Sequence, residues 1–237
     1  MIKLNLPSLP LVAFTLGLGL NALGAAEQGT LPTVTASAPD ALIAPDTLVG
    51  PYNQPEWTEH RRFPFTRVYV QQEPWQIGVE QWWRARTYND KDTAHRFIEE
   101  LEIGLPHRLQ LDLYYNWAHT EGKTHFDEFA VELRWALADW GQIPFNPTLY
   151  IEYAFVNGDY GGDTLESKIL FGDTIGKNWQ WGLNFIFETE VSHELAKEVA
   201  IAGGIGYNIT PSFSAGLEFQ WKRETVAGER SRVIATP

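Results

Sequence analysis

The sequence is dominated by a two-residue period of apolar and polar residues. In 109–117, for example, Leu, Leu, Leu, Tyr and Trp alternate with Gln, Asp, Tyr and Asn. Successive side chains of a β-strand point to opposite faces of the sheet, so each such run predicts a strand with one apolar and one polar face. β-branched and aromatic residues are frequent, and charged residues recur at every second position, which argues against helices. The chain is therefore predicted to be all-β.

Nine runs of this kind follow one another from Trp75 onward. They lie at about 75–88, 94–105, 109–119, 125–138, 148–157, 163–172, 178–189, 194–208 and 213–223. A weaker tenth run, Phe65–Glu73, ends at Pro74. Residues 194–202, at the beginning of the eighth run, also include residues that favour a helix, but we predict them as strand.

The links between the runs alternate in length. Tight links lie at 106–108, 173–178 and 208–211, and longer links at 89–93, 120–124, 157–163 and 189–197. Short turns at one end and longer loops at the other are typical of outer-membrane barrels, although the link 139–147 is longer than such a turn. We predict an up-and-down antiparallel membrane β-barrel of about 9–10 strands.

The alternation alone does not decide which face meets water. A soluble sandwich or lipocalin-like barrel turns its apolar face inward, whereas an outer-membrane barrel turns it to lipid and encloses a polar lumen. The runs have the length of tilted spanning strands, and Trp and Tyr lie near their ends, where an interfacial girdle would place them. These features favour the membrane barrel. The alternative is a soluble periplasmic or secreted β-protein that binds a ligand or carbohydrate.

Two hairpins carry a resemblance to a known family. Glu102–Leu111 has the form strand, Gly-Leu-x-x-Arg turn, strand, and Tyr207–Glu218 repeats this hairpin style. Both segments resemble the transporter-like outer-membrane barrels grouped with the "MetA-pathway of phenol degradation" proteins. The similarity covers Trp75 to Trp221 and implies a barrel that passes small hydrophobic or aromatic compounds. It implies no catalytic residue.

The N-terminus has the pattern of a secretory signal peptide. Lys3 is followed by the apolar stretch Leu11–Leu23 and by the small residues Gly24–Ala26. Cleavage after Ala26 predicts export to the outer membrane of a Gram-negative-type cell, with outer-membrane lipid as the partner. The predicted regions are a signal peptide at 1–26, an extended arm at 27–64, a barrel at 65–223, and a polar tail or the start of a truncated strand at 224–237.

The strand count predicts an incomplete barrel. If the tight links mark the periplasmic end, the ninth strand ends outside the cell, whereas single-chain bacterial barrels have even strand numbers. Barrels of the resembling family usually finish on a strand with a terminal aromatic residue, but this sequence finishes with Arg230–Pro237. We therefore expect an open or gapped sheet that is incomplete at the C-terminal side.

Acids recur on the polar faces of nearly all predicted strands. The lumen-lining residues that we predict are Glu80, Arg84, Glu100, Glu102, Glu132, Arg134, Glu152, Lys168, Glu188 and Glu218. In a narrow barrel such mixed charges would satisfy one another as a structural network, which we favour over a charged pore lining that selects solutes by sign and size. On a soluble sheet the same residues would form a solvated outer face.

Other function classes have weak support. The formal charge of −12 argues against nucleic-acid binding, which needs a basic face. Glu100 and Glu102 share a face as a glycosidase pair would, but acids on nearly every strand make this pair uninformative. His119, His125 and Asp127 lie near one loop and suggest a metal site, but their spacing is not compact. We predict a passive channel or transporter-like protein for small solutes, without catalytic activity, metal or cofactor.

Overall fold

A computed structural model describes residues 15–21, 48–87, 93–191, 196–210, 213–225 and 232–236. The predicted cleavage site after Ala26 and residues 27–47 of the predicted arm lie outside the described residues. The elements in chain order are β1 (Thr15–Asn21), β2 (Leu48–Val49), β3 (Gln54–Pro55), a 3-10 helix (Glu56–Glu59), β4 (Ile77–Arg86), β5 (Ala94–Leu105), β6 (Leu109–Thr120), β7 (Lys123–Ala136), β8 (Thr148–Val156), β9 (Thr164–Ile175), β10 (Trp179–Glu190), β11 (Lys197–Thr210), β12 (Phe213–Thr225) and β13 (Arg232–Thr236).

The sheet has the up-and-down topology that the alternating runs predict. From β4 to β13 each strand pairs with its neighbour in the chain, and β1 pairs antiparallel with β4. The nine strands β4–β12 curl into a half-barrel. Among the described residues no ladder joins β1 to β13, which lie at opposite edges of the sheet. The predicted all-β fold and its open, incomplete barrel geometry are confirmed.

The two ends of the half-barrel differ in their connections. We term the end with links 106–108, 137–147 and 176–178 the turn end, and the opposite end, with the link 157–163, the loop end. One predicted loop is wrong. The link predicted as a longer loop at 120–124 consists only of Glu121 and Gly122, which have φ angles of 52° and 74°. Two successive residues with positive φ form a tight hairpin turn that matches the twist of the flanking strands.

The predicted tenth strand, Phe65–Glu73, is also wrong. These residues belong to no helix or strand and lie against the inside of the half-barrel. The amide of Arg67 donates to Asn184 Oδ1 at 2.8 Å, and the amide of Gln71 donates to Gln110 Oε1 at 2.6 Å. Because this backbone binds side chains of the sheet instead of a neighbouring strand, no ladder forms.

Residues 50–76, which we term the arm segment, enter and leave the interior at the turn end. At its beginning, the Tyr52 hydroxyl accepts a hydrogen bond from the amide of Arg108 at 3.0 Å. At its end, the amide of Trp75 donates to the carbonyl of Gly104 at 2.7 Å. Between these points the arm segment covers the inner surface of the sheet and supplies much of the protein's apolar core.

Candidate functional site

The sheet is polar inside and apolar outside. Along most of β4–β12 the register pairs even-numbered residues with one another, so these residues share the inner face that the arm segment covers. Asp112, Glu132 and Gln180 on this face are fully buried. On the opposite, outer face, Ile169 and Phe185 are 45% and 47% exposed in the middle of their strands. This distribution is the inverse of that in a water-soluble protein, in which charged groups are rarely buried.

The inner face carries an unbroken row of carboxylates. Each of the eight strands β5–β12 contributes one acid, and each acid is the direct cross-strand partner of the next. The members of this acid row are Glu102, Asp112, Glu132, Glu152, Glu166, Glu188, Glu198 and Glu224. Like charges directly opposite each other destabilise a sheet. The row therefore requires compensating cations.

The acid row crosses the half-barrel obliquely. Glu102 lies close to Leu105, where β5 reaches the turn end. Glu224 is next to Thr225, where β12 reaches the loop end. The row runs from the turn end to the loop end because neighbouring strands are staggered, as they are in barrels with tilted strands. It forms a continuous acidic track from one end of the interior to the other.

Arg134 compensates the turn-end part of the acid row. Its guanidinium is fully buried, forms an ion pair with Asp112, and places Nε 2.5 Å from Glu132 Oε1. Glu132 also accepts a hydrogen bond from the Tyr114 hydroxyl. A third contact of the guanidinium reaches Glu102 at 3.7 Å. The wall of the half-barrel is thus partly neutralised by its own residues.

Two arginines of the arm segment bind the acids beside this part of the row. Arg61 Nη2 donates to Glu100 Oε2 at 2.5 Å, and its guanidinium lies 4.5 Å from the centre of the Trp82 ring. Arg67 Nη2 donates to the other Glu100 oxygen at 2.8 Å. Burial lowers the pKa of Arg67, but Glu100, Tyr114, Glu132 and Asp112 together raise it more, so the net pKa is well above its usual value. Arg67 is therefore a permanent cation.

Small residues of the wall make room for the arm segment. A Cβ atom on Gly182 would lie 2.8 Å from Thr66 Cγ2, and one on Gly204 would lie 2.5 Å from Phe63 Cδ1. At Gly104 the added atom would overlap the carbonyl oxygen of Glu73. These glycines let the arm segment approach the strands closely. The glycines of the strands therefore determine where the arm segment packs.

Aromatic packing fixes the arm segment at the turn end. Trp57 and Tyr69 both pack edge-on against Trp140, with ring centres 5.8 and 5.3 Å apart. The amide of Trp140 donates to the carbonyl of Tyr52 at 2.8 Å. We term these four residues the foot and residues 58–68, between Trp57 and Tyr69, the head. The long link 137–147 serves as the platform of the foot, which explains why it exceeds an ordinary turn.

The acid row is accessible at the loop end. A cavity of about 340 Å³ is lined there by Glu188, Glu198, Glu224 and Lys197. Lys222 lies 2.8 Å from Glu198 and compensates this part of the row. Further along the row, Lys168 Nζ lies 2.6 Å from Glu166 Oε1. The interior therefore combines an acidic vestibule at the loop end with a covered turn end.

All ten residues predicted to line a lumen occupy inner-face positions: Glu80, Arg84, Glu100, Glu102, Glu132, Arg134, Glu152, Lys168, Glu188 and Glu218. Several of them contact the arm segment. Glu218 accepts a hydrogen bond from the amide of Phe65 at 2.9 Å, and the Arg84 guanidinium lies 5.4 Å from the Phe65 ring centre. These two residues bind the arm segment, as Glu80, Glu100 and Glu102 do.

The predicted set of lumen-lining residues omits four members of the acid row and both arm arginines. Asp112, Glu166, Glu198 and Glu224 have the parity of the inner face, which is the signal that would have found them. Arg61 and Arg67 lie before the first strand of the half-barrel, in residues predicted as arm and as a tenth strand. Only the folded chain brings them to Glu100.

The histidines weighed as a metal site in the sequence do not come together on one face of the sheet. His125 lies opposite Ala118 and His119 opposite Thr124, after a bulge between Asn116 and Trp117. Since neighbouring positions of a strand point to opposite faces, His119 and His125 with their partners occupy different faces. His125 instead pairs with Asp127 at 3.0 Å.

No family model, curated protein or solved structure matches this chain. In the part of the chain that the structure describes, no helix has the length and apolar character needed to cross a membrane.

Proposed function

We propose that the protein is an outer-membrane β-barrel protein that passes small solutes passively, with a preference for cations, and carries out no catalysis. The observation that supports this most is the inverted polarity of the sheet. Apolar side chains such as Leu149, Ile169 and Phe185 form a continuous exposed row outside, directly opposite one another. A lipid environment stabilises such a face, whereas water does not.

The acid row supports the preference for cations. Rings of acidic side chains select cations in membrane pores, because the local potential attracts positive solutes and repels negative ones. The part of the row from β8 to β12 contains five carboxylates and lies beside two lysines, Lys168 and Lys222. Counted by residue type, this region has more acidic than basic side chains facing the loop end.

Partition of the mature protein tests the location. A membrane barrel stays with the membrane fraction after alkaline extraction and needs detergent to be solubilised. A mature protein that stays soluble without detergent contradicts the proposal and favours the soluble ligand-binding alternative.

Ion selectivity tests the passage. The triple variant Glu152→Gln, Glu166→Gln, Glu188→Gln removes three adjacent members of the acid row and should shift the reversal potential in a salt gradient toward lower cation preference. Glu99→Gln is the matched control, since Glu99 lies on the outer face, where it accepts a hydrogen bond from Gln81 at 2.9 Å. Unchanged selectivity in the triple variant would show that solutes do not follow the acid row.

A further inference from the structure

We infer that the head of the arm segment is a gate: residues 58–68 close the turn end of the interior and open it by leaving the wall, while the foot stays packed. This inference rests on the proposed function, because a gate requires a passage. Both ends of the head are fixed, since Trp57 and Tyr69 pack on the same residue, Trp140. The head is therefore a loop with two adjacent anchors, a geometry that allows it to swing without detaching the foot.

The contacts between head and wall include ionic and polar ones, besides the apolar packing of Phe63 and Val68 against glycines of the wall. Arg61 and Arg67 bind Glu100, and Arg62 Nη1 donates to Ser214 Oγ at 2.7 Å. Charged groups on both sides can be hydrated when they separate in a water-filled interior. The foot differs, because Tyr52, Trp57, Tyr69 and Trp140 bury aromatic surface that would be costly to expose. The head is thus held by ion pairs and polar contacts as well as by apolar packing, whereas the foot is held mainly by aromatic packing.

Opening of the head leaves the sheet intact. The Arg67 amide and carbonyl both bind the side chain of Asn184, at 2.8 and 2.6 Å, and the Phe65 amide binds the carboxylate of Glu218. None of these bonds belongs to a strand ladder. The wall also retains Arg134, which pairs with Asp112 and Glu132 and donates to Tyr69 and Gln71, two arm-segment residues outside the head. Movement of the head consequently breaks side-chain contacts and hydrogen bonds between the head's backbone and wall side chains, but no strand ladder.

The seal between head and wall is imperfect. Gln180 is fully buried and lies two residues before Gly182, the wall residue against which Thr66 of the head packs. Neither polar atom of its side-chain amide has a hydrogen-bond partner among the described residues. Buried polar atoms without partners cost free energy, which is recovered when water reaches them. The unpartnered amide of Gln180 therefore lowers the free-energy cost of moving the head away from the wall.

A disulfide between head and wall tests the gate. The chain contains no Cys, so Thr66→Cys, Gly182→Cys introduces a single possible intramolecular pair. The Cβ atom of Thr66 is at least 3.7 Å from a Cβ atom built on Gly182, because it is not among the three nearest atoms. It is at most about 4.3 Å away, since Thr66 Cγ2 lies 2.8 Å from that point and a C–C bond adds about 1.5 Å. This separation suits a disulfide. Val68→Ala in the same variant makes room for the new side chain.

The control is the pair Ala154→Cys, Thr164→Cys, which are direct cross-strand partners on the inner face of β8 and β9. This pair joins wall to wall and leaves the head free. The full chain is reconstituted in planar bilayers, and conductance is recorded after oxidation and again after dithiothreitol. We expect oxidation to abolish conductance in the head–wall variant, dithiothreitol to restore it, and the control to conduct in both states.

A second measurement separates failure of the gate from failure of the passage. The single variant Thr66→Cys places a thiol at a position that is 2% exposed, so a polar maleimide labels it only when the head leaves the wall. Conductance that is equal in the oxidised and reduced head–wall variant would overturn the gate and leave the passage intact. Labelling of Cys at position 66 without conductance in any variant would overturn the proposed passage while supporting head movement. Neither labelling nor conductance would overturn both.

Discussion

Ile169→Arg is the substitution that separates a membrane barrel from a soluble sheet most sharply. Ile169 is in the middle of β9 on the outer face, 45% exposed, with the exposed residues Leu149 and Phe185 as its direct cross-strand partners. On a soluble protein an arginine at such a site is solvated, and the free energy of unfolding should change by no more than about 0.5 kcal/mol. At the midplane of a bilayer the same arginine costs about 2–4 kcal/mol.

Ile175→Arg provides the matched control within the same strand. Ile175 is the last residue of β9 and is 57% exposed. Six residues at about 3.3 Å each separate it from Ile169 by about 20 Å along the strand. With a tilt of about 45° this becomes about 14 Å of depth, slightly more than half of an apolar band about 25 Å tall. Arginine at this interfacial position should cost only about 0–1 kcal/mol.

The assay is reversible denaturant unfolding in phospholipid vesicles, followed by tryptophan fluorescence. The membrane interpretation predicts that Ile169→Arg is less stable than Ile175→Arg by about 2–3 kcal/mol, from the difference between the midplane and interfacial costs. Equal, small effects of the two substitutions would refute the assignment of the outer face to lipid, because water does not distinguish the two depths.

Three further predictions concern the arm segment, the buried charges and the N-terminus. Gly104→Ala forces a Cβ atom onto the Glu73 carbonyl and should destabilise the protein by about 1–3 kcal/mol, whereas Gly158→Ala, whose Cβ meets no atom within 4 Å, should be neutral in the same unfolding assay. Arg134→Met leaves Asp112 and Glu132 without their cation and should cost about 3–5 kcal/mol. Arg96→Met, which breaks a pair whose arginine is 41% exposed, should cost less than about 1 kcal/mol, and similar costs for the two would contradict this ranking. Mass spectrometry of the exported protein should show an N-terminus at Glu27, which removes β1 and leaves β4 at a sheet edge; an intact N-terminus would exclude the signal peptide.

The two-residue period predicted the strands well because it is a direct consequence of strand geometry. The same period misled at Phe65–Glu73, where extended backbone lies inside the half-barrel instead of pairing with a neighbour. Alternation reports that a backbone is extended and has two environments. It does not report which partner satisfies its amides, and here the partners are side chains such as Asn184, which is 117 residues away from Arg67 in the sequence.

The sequence predicted which face of the sheet carries the candidate site, but not which of its residues are direct cross-strand partners. Glu132 and Glu152 were placed correctly on one face by parity alone, yet their direct pairing depends on how β7 and β8 are aligned. That alignment is set across the long link 137–147, whose conformation includes the positive φ angles of Phe145 and Asn146. Asn146 fixes the link by donating to the Gly172 carbonyl at 2.9 Å. Such contacts are not visible in a local pattern, so the continuous acid row emerged only from the structure.

The acid row and the arm segment explain each other. Carboxylates placed directly opposite one another repel, and the turn-end part of the interior is stabilised because Arg61 and Arg67 bring two positive charges to the neighbouring Glu100. When the head leaves, these charges leave with it, and the repulsion among the exposed acids must be screened by cations from solution. A cation that enters from the acidic vestibule at the loop end provides that screening. Under the proposed gate, the arginines of the head bind Glu100 beside the turn-end part of the row in the closed state, and cations from solution replace them in the open state.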